Sequence, residues 1–528
     1  MTYHNKLELN EQFVRALGVM EDTGRSVFVT GRAGTGKSTL LDYFRSQTKK
    51  KIIVLAPTGV AAINVKGETI HSFFRFKPDI TISKVKKISG KGMRPHAPTH
   101  PTTVYQQIDT IIIDEISMVR ADLLDCVDKF LRLNGPSKGK TFGGIQLIFI
   151  GDLYQLPPVV SGIDRKFFMD NYESEYFFDS HSFKDLGIDF IELEKIYRQK
   201  DASFINILNG IRNNTISDED IKNLNSRYSP EFIPKYDFTL TLTTTNKMAG
   251  EINTEKLGSL MTDLVSPEAR IKGDIDLKQF PTEKTLRLKA GSQVMMLNND
   301  HFGRWVNGTI GKIIEIGEED ICVEFEDRRK ETVTPHTWDI FHFTYDQSKN
   351  RVNSDIIGTF TQYPLKLAWA ITIHKSQGLT FDNVVIDLGK GTFAHGQLYV
   401  ALSRCRTLKG ITLKTKIKRS NIMLDYRIRN FITKFQYGRS DELCPLPRKM
   451  EIIKDAIRNG SALEIIYLKS SDEKNKRVVK PIDIGEMEYK NRKYIGFTAF
   501  CSLRGEVRTF RVDRILEIRE PNEQSPAP

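Results

Sequence analysis

Gly31-Arg32-Ala33-Gly34-Thr35-Gly36-Lys37-Ser38 is the stretch that decides the fold of this chain. It fits the pattern GxxxxGK[ST] and lies between a predicted apolar strand, Ser26–Thr30, and a predicted helix, Thr39–Ser46. Glycines in such a loop let backbone N–H groups turn toward a phosphate, and the helix N-terminus adds positive potential. Strand, loop and helix in this order therefore predict a nucleotide-phosphate site at the edge of a parallel sheet.

The residue types of this stretch assign its chemistry. Lys37 is expected to neutralise phosphate charge and to act in catalysis, and the Ser38 hydroxyl is expected to ligate Mg²⁺. An accidental glycine turn with a lysine is the alternative, and the flanking strand and helix argue against it. The residues predicted to surround the phosphates are Gly31, Gly34, Thr35, Gly36, Lys37, Ser38 and Thr39.

A second apolar strand ends in two carboxylates. Ile111–Ile113 is followed at once by Asp114 and Glu115. An Asp-Glu pair after an apolar run is a weak signal alone, but the phosphate loop upstream makes it the expected partner in chemistry. Asp114 is predicted to hold Mg²⁺, and Glu115 to orient and activate the attacking water.

Length and composition limit the class of protein. At 528 residues the chain is too long for one core, so two to four structural units are expected. Its net charge of +12 favours a polyanionic partner, although many basic proteins bind no nucleic acid. Five scattered cysteines form no CxxC pair, which predicts neither a zinc site nor a disulfide framework. Without a long apolar run or a signal-peptide pattern, a cytoplasmic protein that does not enter membranes is expected.

Hydrophobic patterning predicts two α/β domains and two small β-rich units. Apolar strands alternate with helical stretches from residue 26, stop near 286, and resume at Leu365–Thr372 and Asn383–Asp387. The expected first domain covers 1–190 with a small insertion at about 66–104. The other expected boundaries are 191–285 and 358–437 for the second α/β domain, 286–357 for an inserted β-barrel, 438–450 for a linker, 451–520 for a C-terminal domain, and 521–528 for a disordered tail.

Further motifs resemble the superfamily-1B helicases, specifically the Pif-type DNA helicases, which are relatives of RecD. The resemblance spans residues 7–437 and implies two tandem RecA-like P-loop domains with an SH3-like β-barrel inserted in the second. It rests on Leu9-Asn10-Glu11-Gln12 (Q motif), Ala56-Pro57-Thr58-Gly59-Val60-Ala61-Ala62 (motif Ia), Gly67-Glu68-Thr69-Ile70-His71-Ser72-Phe73-Phe74, Gly151-Asp152 with Gln155-Leu156-Pro157-Pro158 (motif III), Tyr197-Arg198-Gln199 (motif IV), Ile373-His374-Lys375-Ser376-Gln377-Gly378-Leu379-Thr380 (motif V) and Gln397-Leu398-Tyr399-Val400-Ala401-Leu402-Ser403-Arg404 (motif VI).

The resemblance assigns further residues to ATP. Gln12 would read the adenine base, Gln155 would sense the γ-phosphate, and Gly378 would lie at the nucleotide. Arg198 and Arg404 are expected to come from the second domain, and an arginine supplied from a second body can add roughly 10³–10⁵ in rate. A surface salt bridge is the alternative for a lone arginine, but within these motifs the catalytic role is favoured.

Small or polar residues at predicted loops are expected to contact the DNA backbone without reading bases. Phe73 and Pro158 are expected to pack on bases or sugars, with core packing as the alternative for Phe73. For His374 the alternative is a strand-end histidine. The predicted nucleic-acid contacts are Thr58, Gly59, His71, Ser72, Phe73, Pro158, Thr245, Asn246, His374, Lys375 and Ser376.

The region 451–520 resembles a WYL-type domain, a mostly-β Sm/SH3-like barrel. The resemblance rests on Ile465-Ile466-Tyr467, on Tyr494-Ile495-Gly496-Phe497 and on the run from Arg508 to Ile515, although the name-giving tripeptide is absent. A basic groove with Arg477, Arg508 and Arg511 would bind single-stranded nucleic acid; an architectural barrel with a solvated basic rim is the alternative.

These observations together predict an ATP- and Mg²⁺-dependent DNA helicase that translocates on single-stranded DNA. The resemblance to the Pif-type helicases alone implies movement from 5′ to 3′. The expected partners are single strands and single-strand/duplex junctions, with no stable protein partner and a monomeric state. A bacterial host would place it at the nucleoid. The alternatives are a DNA-stimulated translocase, a WYL-type regulator with weak motor activity, a P-loop ATPase that remodels proteins, and an RNA-directed motor.

Overall fold

The computed structural model divides into two compact units. One unit contains Met1–Ile211 and Ser217–Met423, and the other contains Arg212–Ile216 and Leu424–Pro528. Residues 521–528, the expected tail, and 89–100 of the expected first-domain insertion lie outside the described residues. The described residues are 10–77, 80–88, 101–160, 162–199, 201–232, 238–273, 280–346, 351–468, 474–489 and 492–520.

The first lobe of the larger unit is a six-stranded parallel sheet with flanking helices. Its elements are α1 Glu11–Asp22, β1 Ser26–Gly31, α2 Lys37–Gln47, β2 Ile52–Ala56, α3 Gly59–Asn64, β3 Glu68–Thr69, α4 Ile70–Phe73, α5 Pro101–Gln107, β4 Thr110–Ile113, α6 Ala121–Asn134, β5 Gln146–Gly151, α7 Gly162–Asn171, α8 His181–Lys184 and β6 Ile188–Leu193. The strand order is β3-β2-β4-β5-β1-β6. Strand β1 is buried along its whole length, as expected for a parallel sheet covered on both faces.

The second lobe is a four-stranded parallel sheet. Its elements are α9 Ala202–Arg212, α10 Asp218–Asn225, β7 Leu240–Thr243, α11 Asn246–Ser259, β16 Ala370–Thr372, β17 Val384–Asp387, α12 Gln397–Ser403 and β18 Ile411–Leu413. The strand order is β16-β7-β17-β18. Two helices precede β7, and α12, which carries motif VI, follows β17.

Two antiparallel sheets are inserted between α11 and β16. Their strands are β8 Arg270–Gly273, β9 Gln293–Met296, β10 Ile310–Ile316, β11 Ile321–Phe325, β12 Lys330–Val333, β13 His336–Asp346, β14 Arg351–Gln362 and β15 Leu365–Leu367. A five-stranded sheet has the order β12-β11-β10-β9-β15 and encloses a core that includes Trp305 and Tyr363. A three-stranded sheet, β13-β14-β8, is built on a long hairpin.

The smaller unit packs two helices with a five-stranded antiparallel sheet. The elements are α13 Tyr426–Leu443, α14 Leu446–Asn459, β19 Leu463–Leu468, β20 Lys474–Tyr489, β21 Arg492–Cys501, β22 Glu506–Arg511 and β23 Ile515–Arg519. The strand order is β22-β21-β20-β19-β23. The core contains Ile453 and Ala456 of α14 together with Phe497 and Phe510 of the sheet.

The structure corrects four expectations about boundaries. The linker expected at 438–450 is mostly helical, because Pro445 caps α14 at its N-terminus, where a proline needs no hydrogen-bond donor. The single strand expected over Leu365–Thr372 is two strands, β15 in the inserted sheet and β16 in the parallel sheet. The first lobe extends past residue 190, because β6 pairs with β1 as far as Leu193.

The insertion is also longer than 286–357, because its two sheets use β8, the end of β14 and β15. No helix among the described residues has the length and apolar character needed to span a membrane.

Candidate nucleotide and nucleic-acid sites

The phosphate loop connects β1 to α2 with the predicted geometry. Gly34 and Gly36 have φ of 81° and 88°, a region that suits glycine and lets the loop's amides face one side. The Lys37 ammonium donates to the carbonyl oxygens of Gly31 at 2.7 Å and Arg32 at 3.0 Å. The lysine therefore lies over the cradle in which a phosphate would bind.

The two carboxylates stand at the end of β4, beside the phosphate loop. Burial, reinforced by the neighbouring Glu115 carboxylate, raises the pKa of Asp114 to about 7. Burial also raises the pKa of Glu115, against the opposing influence of the Lys37 and Arg404 cations. Glu115 has φ 50°, which is uncommon for a residue with a side chain and is frequent at functional sites. The pair is thus a buried acidic site whose charge a bound cation would stabilise.

The segment after β6 packs motif IV directly on the phosphate loop. The Tyr197 backbone N–H donates to the Gly34 carbonyl at 2.8 Å. A Cβ atom at Gly34 would lie only 2.5 Å from the Arg198 Cβ, so only glycine fits there. Arg198 therefore lies on the connection between β6 and α9, and its Nη1 donates to the Ser403 carbonyl at 3.4 Å. Burial lowers the pKa of Arg198.

Arg404 is buried at the end of the motif VI helix. Its guanidinium donates to the carbonyl oxygens of Val400 at 3.0 Å and Leu379 at 3.3 Å, and to the Ser403 hydroxyl at 2.9 Å. Burial, together with the nearby Arg198 guanidinium, lowers its pKa to about 9, so Arg404 remains charged at neutral pH. The Arg404 guanidinium also opposes the rise of the Glu115 pKa, so the end of motif VI lies near the two carboxylates of the first lobe.

Gln155 lies in a loop four residues past the end of β5. Its amide donates to the Asp152 carboxylate at 3.2 Å, and Asp152 is fully buried. A Cβ atom at Gly396 would lie 2.3 Å from the Gln155 carbonyl oxygen, so motif III and the start of motif VI meet backbone to backbone.

Two residues to which the sequence analysis gave no individual role also contact these motifs. The Tyr399 hydroxyl accepts a hydrogen bond from the Ala33 backbone N–H at 3.1 Å, which links motif VI to the phosphate loop. His395 is buried, with Nε2 3.1 Å from the Leu153 carbonyl oxygen and Nδ1 3.1 Å from the Met423 carbonyl oxygen. No pattern in the sequence marks His395, because its partners are backbone atoms far away in the chain.

Gln12 lies on α1, next to the phosphate loop. Its side-chain oxygen accepts the Glu194 backbone N–H at 2.9 Å, which fixes the orientation of the amide. Phe13, the next residue, lies against Gly36, where a Cβ atom would be 3.1 Å from its ring. The contact of Gln12 with adenine stays a prediction.

Several predicted nucleic-acid contacts lie at exposed or half-buried loop and helix ends. Thr58 and Thr245 are exposed and cap the N-termini of α3 and α11. Lys375 is exposed in motif V, and burial lowers the pKa of His374 beside it. The other accessible residues of the predicted set are Gly59, His71, Ser72 and Asn246, and Gly378 in motif V has φ 79°.

Three other residues of that set face inward. Phe73 is fully buried, with its ring 4.9 Å from Phe74 and 5.2 Å from Tyr105, so the expected base contact is replaced by core packing. The buried Ser376 hydroxyl donates to the Ile373 carbonyl at 2.7 Å, so it is engaged by its own turn. Pro158 is buried as well.

The basic groove expected in the C-terminal unit is not formed by all three arginines. Arg477 is 7% exposed; its Nη1 lies 3.4 Å from the Cys501 sulfur and its guanidinium 5.9 Å from the Phe510 ring centre. Strand register places it inside the barrel. Arg508 and Arg511 are partly exposed, and each pairs with an acidic residue two positions away in sequence.

The first-lobe cleft fits ATP and Mg²⁺. Ser38 and Thr39 are exposed in the first turn of α2, so the Ser38 hydroxyl is accessible to a ligand. No cluster of three His, Cys, Asp or Glu that could hold a metal by itself occurs in the described part of the chain. Mg²⁺ in such sites takes most of its ligands from phosphates and water, so its predicted binding by Ser38 and Asp114 requires no such cluster.

Comparisons with known proteins agree with this arrangement. Family models match over residues 9–222 (PIF1-like helicase), 367–411 (UvrD-like helicase C-terminal domain) and 448–520 (WYL domain). The ATP-dependent DNA helicase PIF1 of Mus musculus is 34% identical over 429 residues, which cover 79% of this chain and 61% of the mouse protein. The ATP-dependent DNA helicase Pif1 of Bdellovibrio bacteriovorus is 30% identical over 443 residues, which cover 82% of this chain and 93% of that protein.

The chain thus spans about three fifths of the mammalian relative and nearly all of the bacterial one. Among solved structures, Pif1 from Bacteroides sp in complex with ADP-AlF4 is 35% identical with a TM-score of 0.72, covering 82% of this chain and 98% of that one. Bacteroides Pif1 bound to ssDNA is 35% identical with a TM-score of 0.58, covering 81% and 96%.

Proposed function

This chain belongs to the PIF1-like helicase family, and we propose that it is an ATP-dependent DNA helicase that moves 5′ to 3′ on single-stranded DNA. Relatives of similar length are named as ATP-dependent DNA helicases, and one solved relative is bound to ssDNA. The observation that carries the proposal is the meeting of motifs IV and VI on the phosphate loop, through Tyr197 on Gly34 and Tyr399 on Ala33.

Different residues of the cleft carry out different steps of ATP hydrolysis. Mg²⁺, held by Ser38 and Asp114, would supply a Lewis acid that neutralises phosphate charge. Lys37 and the loop amides bind the phosphates, and Glu115 orients water and accepts its proton. Its raised pKa suits that role, because a base is most effective when its pKa approaches the working pH.

Arg198 and Arg404 would stabilise the charge that develops as the phosphate bond breaks. Arg404 is held by carbonyl oxygens of motifs V and VI. Arg198 instead packs on Gly34 of the phosphate loop and donates to the Ser403 carbonyl, so it contacts both lobes. Gln155 would report the state of the nucleotide through motif III, whose backbone abuts Gly396. The cleft is therefore built so that nucleotide binding and lobe movement are linked.

We further propose that the accessible polar residues of motifs Ia and V hold the DNA backbone, and that the protein acts as a monomer in the cytoplasm at single-strand/duplex junctions. Thr58 and Thr245 stand at corresponding helix N-termini of the two lobes, where backbone N–H groups attract phosphates. Translocation along a strand needs two such DNA-binding sites, one on each lobe. The C-terminal unit would tune DNA engagement and be dispensable for ATP hydrolysis.

Unwinding of duplexes with either a 5′ or a 3′ single-stranded tail tests the proposal, with wild type and Lys37→Ala compared. Unwinding of only the 5′-tailed duplex, lost in the variant, is expected. DNA-stimulated ATPase without unwinding would leave a translocase, and unwinding from the 3′ tail would contradict the direction. Equal stimulation by RNA would contradict the preference for DNA, and an ATPase that responds to neither nucleic acid would contradict the motor itself.

A further inference from the structure

The loop between β9 and β10, residues 297–309, presents an aromatic side chain to solvent. Phe302 at its tip is 81% exposed, whereas Trp305 in the same loop is 5% exposed and belongs to the barrel core. Phe302 is therefore not part of that core, and its ring is accessible to a ligand.

The loop is rigid at this tip. The Asp300 carboxylate accepts the backbone N–H of Phe302 at 2.9 Å and of Arg304 at 3.2 Å, and the Arg304 guanidinium donates to it at 2.7 Å. These hydrogen bonds, of which the one from the Arg304 side chain has the largest effect, lower the pKa of Asp300 to about 2. The Asp300 carboxylate therefore stays ionised and keeps these bonds at any physiological pH. Gly303 completes the turn with φ 73°. The aromatic ring is therefore presented at a fixed place, and contact with it costs little ordering entropy.

A cation and two rings surround the exposed side chain. The Arg304 guanidinium carbon lies 4.5 Å from the Trp305 ring centre and 5.5 Å from that of Phe302. The His301 ring meets Phe302 edge to face, with ring centres 5.6 Å apart. The loop tip thus presents aromatic rings and a guanidinium side by side, and both kinds of group bind flat, electron-rich rings.

The base of the loop lies against the two segments that we propose hold DNA. The Asn307 side chain donates to the Asn64 side-chain oxygen at 3.2 Å, at the end of the α3 helix that begins with Gly59 of motif Ia. A Cβ atom at Gly308 would lie 3.1 Å from Leu379 of motif V. The loop is therefore placed at the edge of the same surface, in contact with both lobes.

We propose that Phe302 stacks on a nucleobase of the DNA strand that motifs Ia and V hold, which makes this loop a further nucleic-acid contact. The inference rests on the proposed function and deepens it. Stacking suits a moving helicase, because every base has a π-face and no sequence is read. None of the sequence motifs includes residues 297–304.

Fluorescence titration of single-stranded oligonucleotides containing 2-aminopurine tests the contact. Stacking on a ring quenches this base, so wild type is expected to quench it and Phe302→Ala to quench it less. The dissociation constant of Phe302→Ala is expected to rise about 5- to 100-fold, the range of one base–aromatic stack. Phe302→Trp is expected to stay within about twofold of wild type.

Val306→Ala is the matched control, because Val306 is 60% exposed in the same loop but has no ring. Its affinity and quenching should equal those of wild type. The DNA-stimulated ATPase rate of Val306→Ala should also equal that of wild type.

Two results would overturn the inference, and they are distinguishable. A wild type whose ATPase responds to DNA, with a Phe302→Ala variant of unchanged affinity and quenching, contradicts the stack alone. A wild type that neither binds the oligonucleotide nor responds to DNA contradicts the proposed function and the stack together.

Discussion

The ATP cleft and the C-terminal barrel both contain buried arginines, but they use them differently. Arg404 has three oxygen partners, and the nearby Glu115 carboxylate opposes the lowering of its pKa. Arg477 has a sulfur and an aromatic ring beside it, and its Nε has no hydrogen-bond partner within the described residues. A buried charge with good partners next to a ligand site indicates chemistry, whereas a poorly partnered one inside a barrel indicates architecture.

The largest effect is expected for Arg404. Arg404→Ala should lower the DNA-stimulated ATPase kcat by roughly 10³-fold or more, because it removes the positive charge of the guanidinium that would stabilise negative charge as the phosphate bond breaks. Steady-state kinetics with ATP and saturating single-stranded DNA measure it.

Arg406→Ala is the matched control, since Arg406 is exposed and pairs with Asp382 at 2.7 Å outside the cleft. A melting temperature shared with wild type would exclude misfolding. If Arg404→Ala retained more than a tenth of the rate, its role would be structural, like that of Arg477.

A smaller effect is expected for His395, which we assign as a positioning residue between motifs III and VI. His395→Ala should lower kcat about tenfold, the equivalent of one to two hydrogen bonds, with KM for ATP little changed. His395→Asn should recover part of the rate, because it retains an N–H donor. The exposed His181 serves as a control position; an equal loss in His181→Ala, or a purely KM effect in His395→Ala, would contradict this assignment.

Asp114 is expected to make the nucleotide-free protein less stable as pH rises. Its folded pKa of about 7 exceeds the ordinary value of 3.8, so the folded state binds a proton between these values that the unfolded state releases. The stability from this group is complete below pH 4 and is lost as pH rises through 7. Asp114→Asn should remove this pH dependence of the free energy of unfolding, which in wild type amounts to a loss on the order of 1–3 kcal/mol.

Urea unfolding at pH 5 and pH 7.5 measures the Asp114 effect. Wild type and the variant should differ more at the higher pH, where wild type carries a buried charge. If the free energy of unfolding changed equally between the two pH values in both proteins, Asp114 would not be the group that causes the pH dependence.

The smallest effect concerns the C-terminal barrel. Replacing Arg508 and Arg511 together with glutamine should reduce the salt dependence of single-strand binding by about 0.7 for each phosphate that the variant no longer neutralises. Arg477→Gln should leave that slope unchanged and lower the melting temperature, because the side chain is inside the barrel. If Arg477→Gln lowered the salt dependence and the double variant did not, Arg477 would be a nucleic-acid contact.

The phosphate loop, the Asp-Glu pair and the strands around them were predictable because their geometry is local. Gly34 and Gly36 need positive φ, and β1 and β4 are continuous apolar runs. The inserted unit was recognised, but its predicted bounds were too narrow, because β8 pairs with β14 and thereby belongs to it although Gly273 and Gly358 lie far apart in sequence.

The error at Phe73 has a related cause. A motif places a residue near a site, but whether its ring faces the ligand or the core depends on neighbours that come from elsewhere in the chain. Here Tyr105 and Phe130 complete an aromatic cluster around Phe73 and Phe74. The neighbouring Ser72 stays accessible, and its contact with DNA stays a prediction.

The sequence alone determined the family, the phosphate loop and the position of the Asp-Glu pair after its strand, because short motifs encode local backbone geometry and charge. Tertiary structure alone decided which side chains face the ligand. His395 and Tyr399 reach backbone atoms of the other lobe, Phe302 stands exposed beside the proposed DNA surface, and Arg477 turns inward. The physical reason is that burial and strand register depend on long-range packing, which no short stretch of sequence contains.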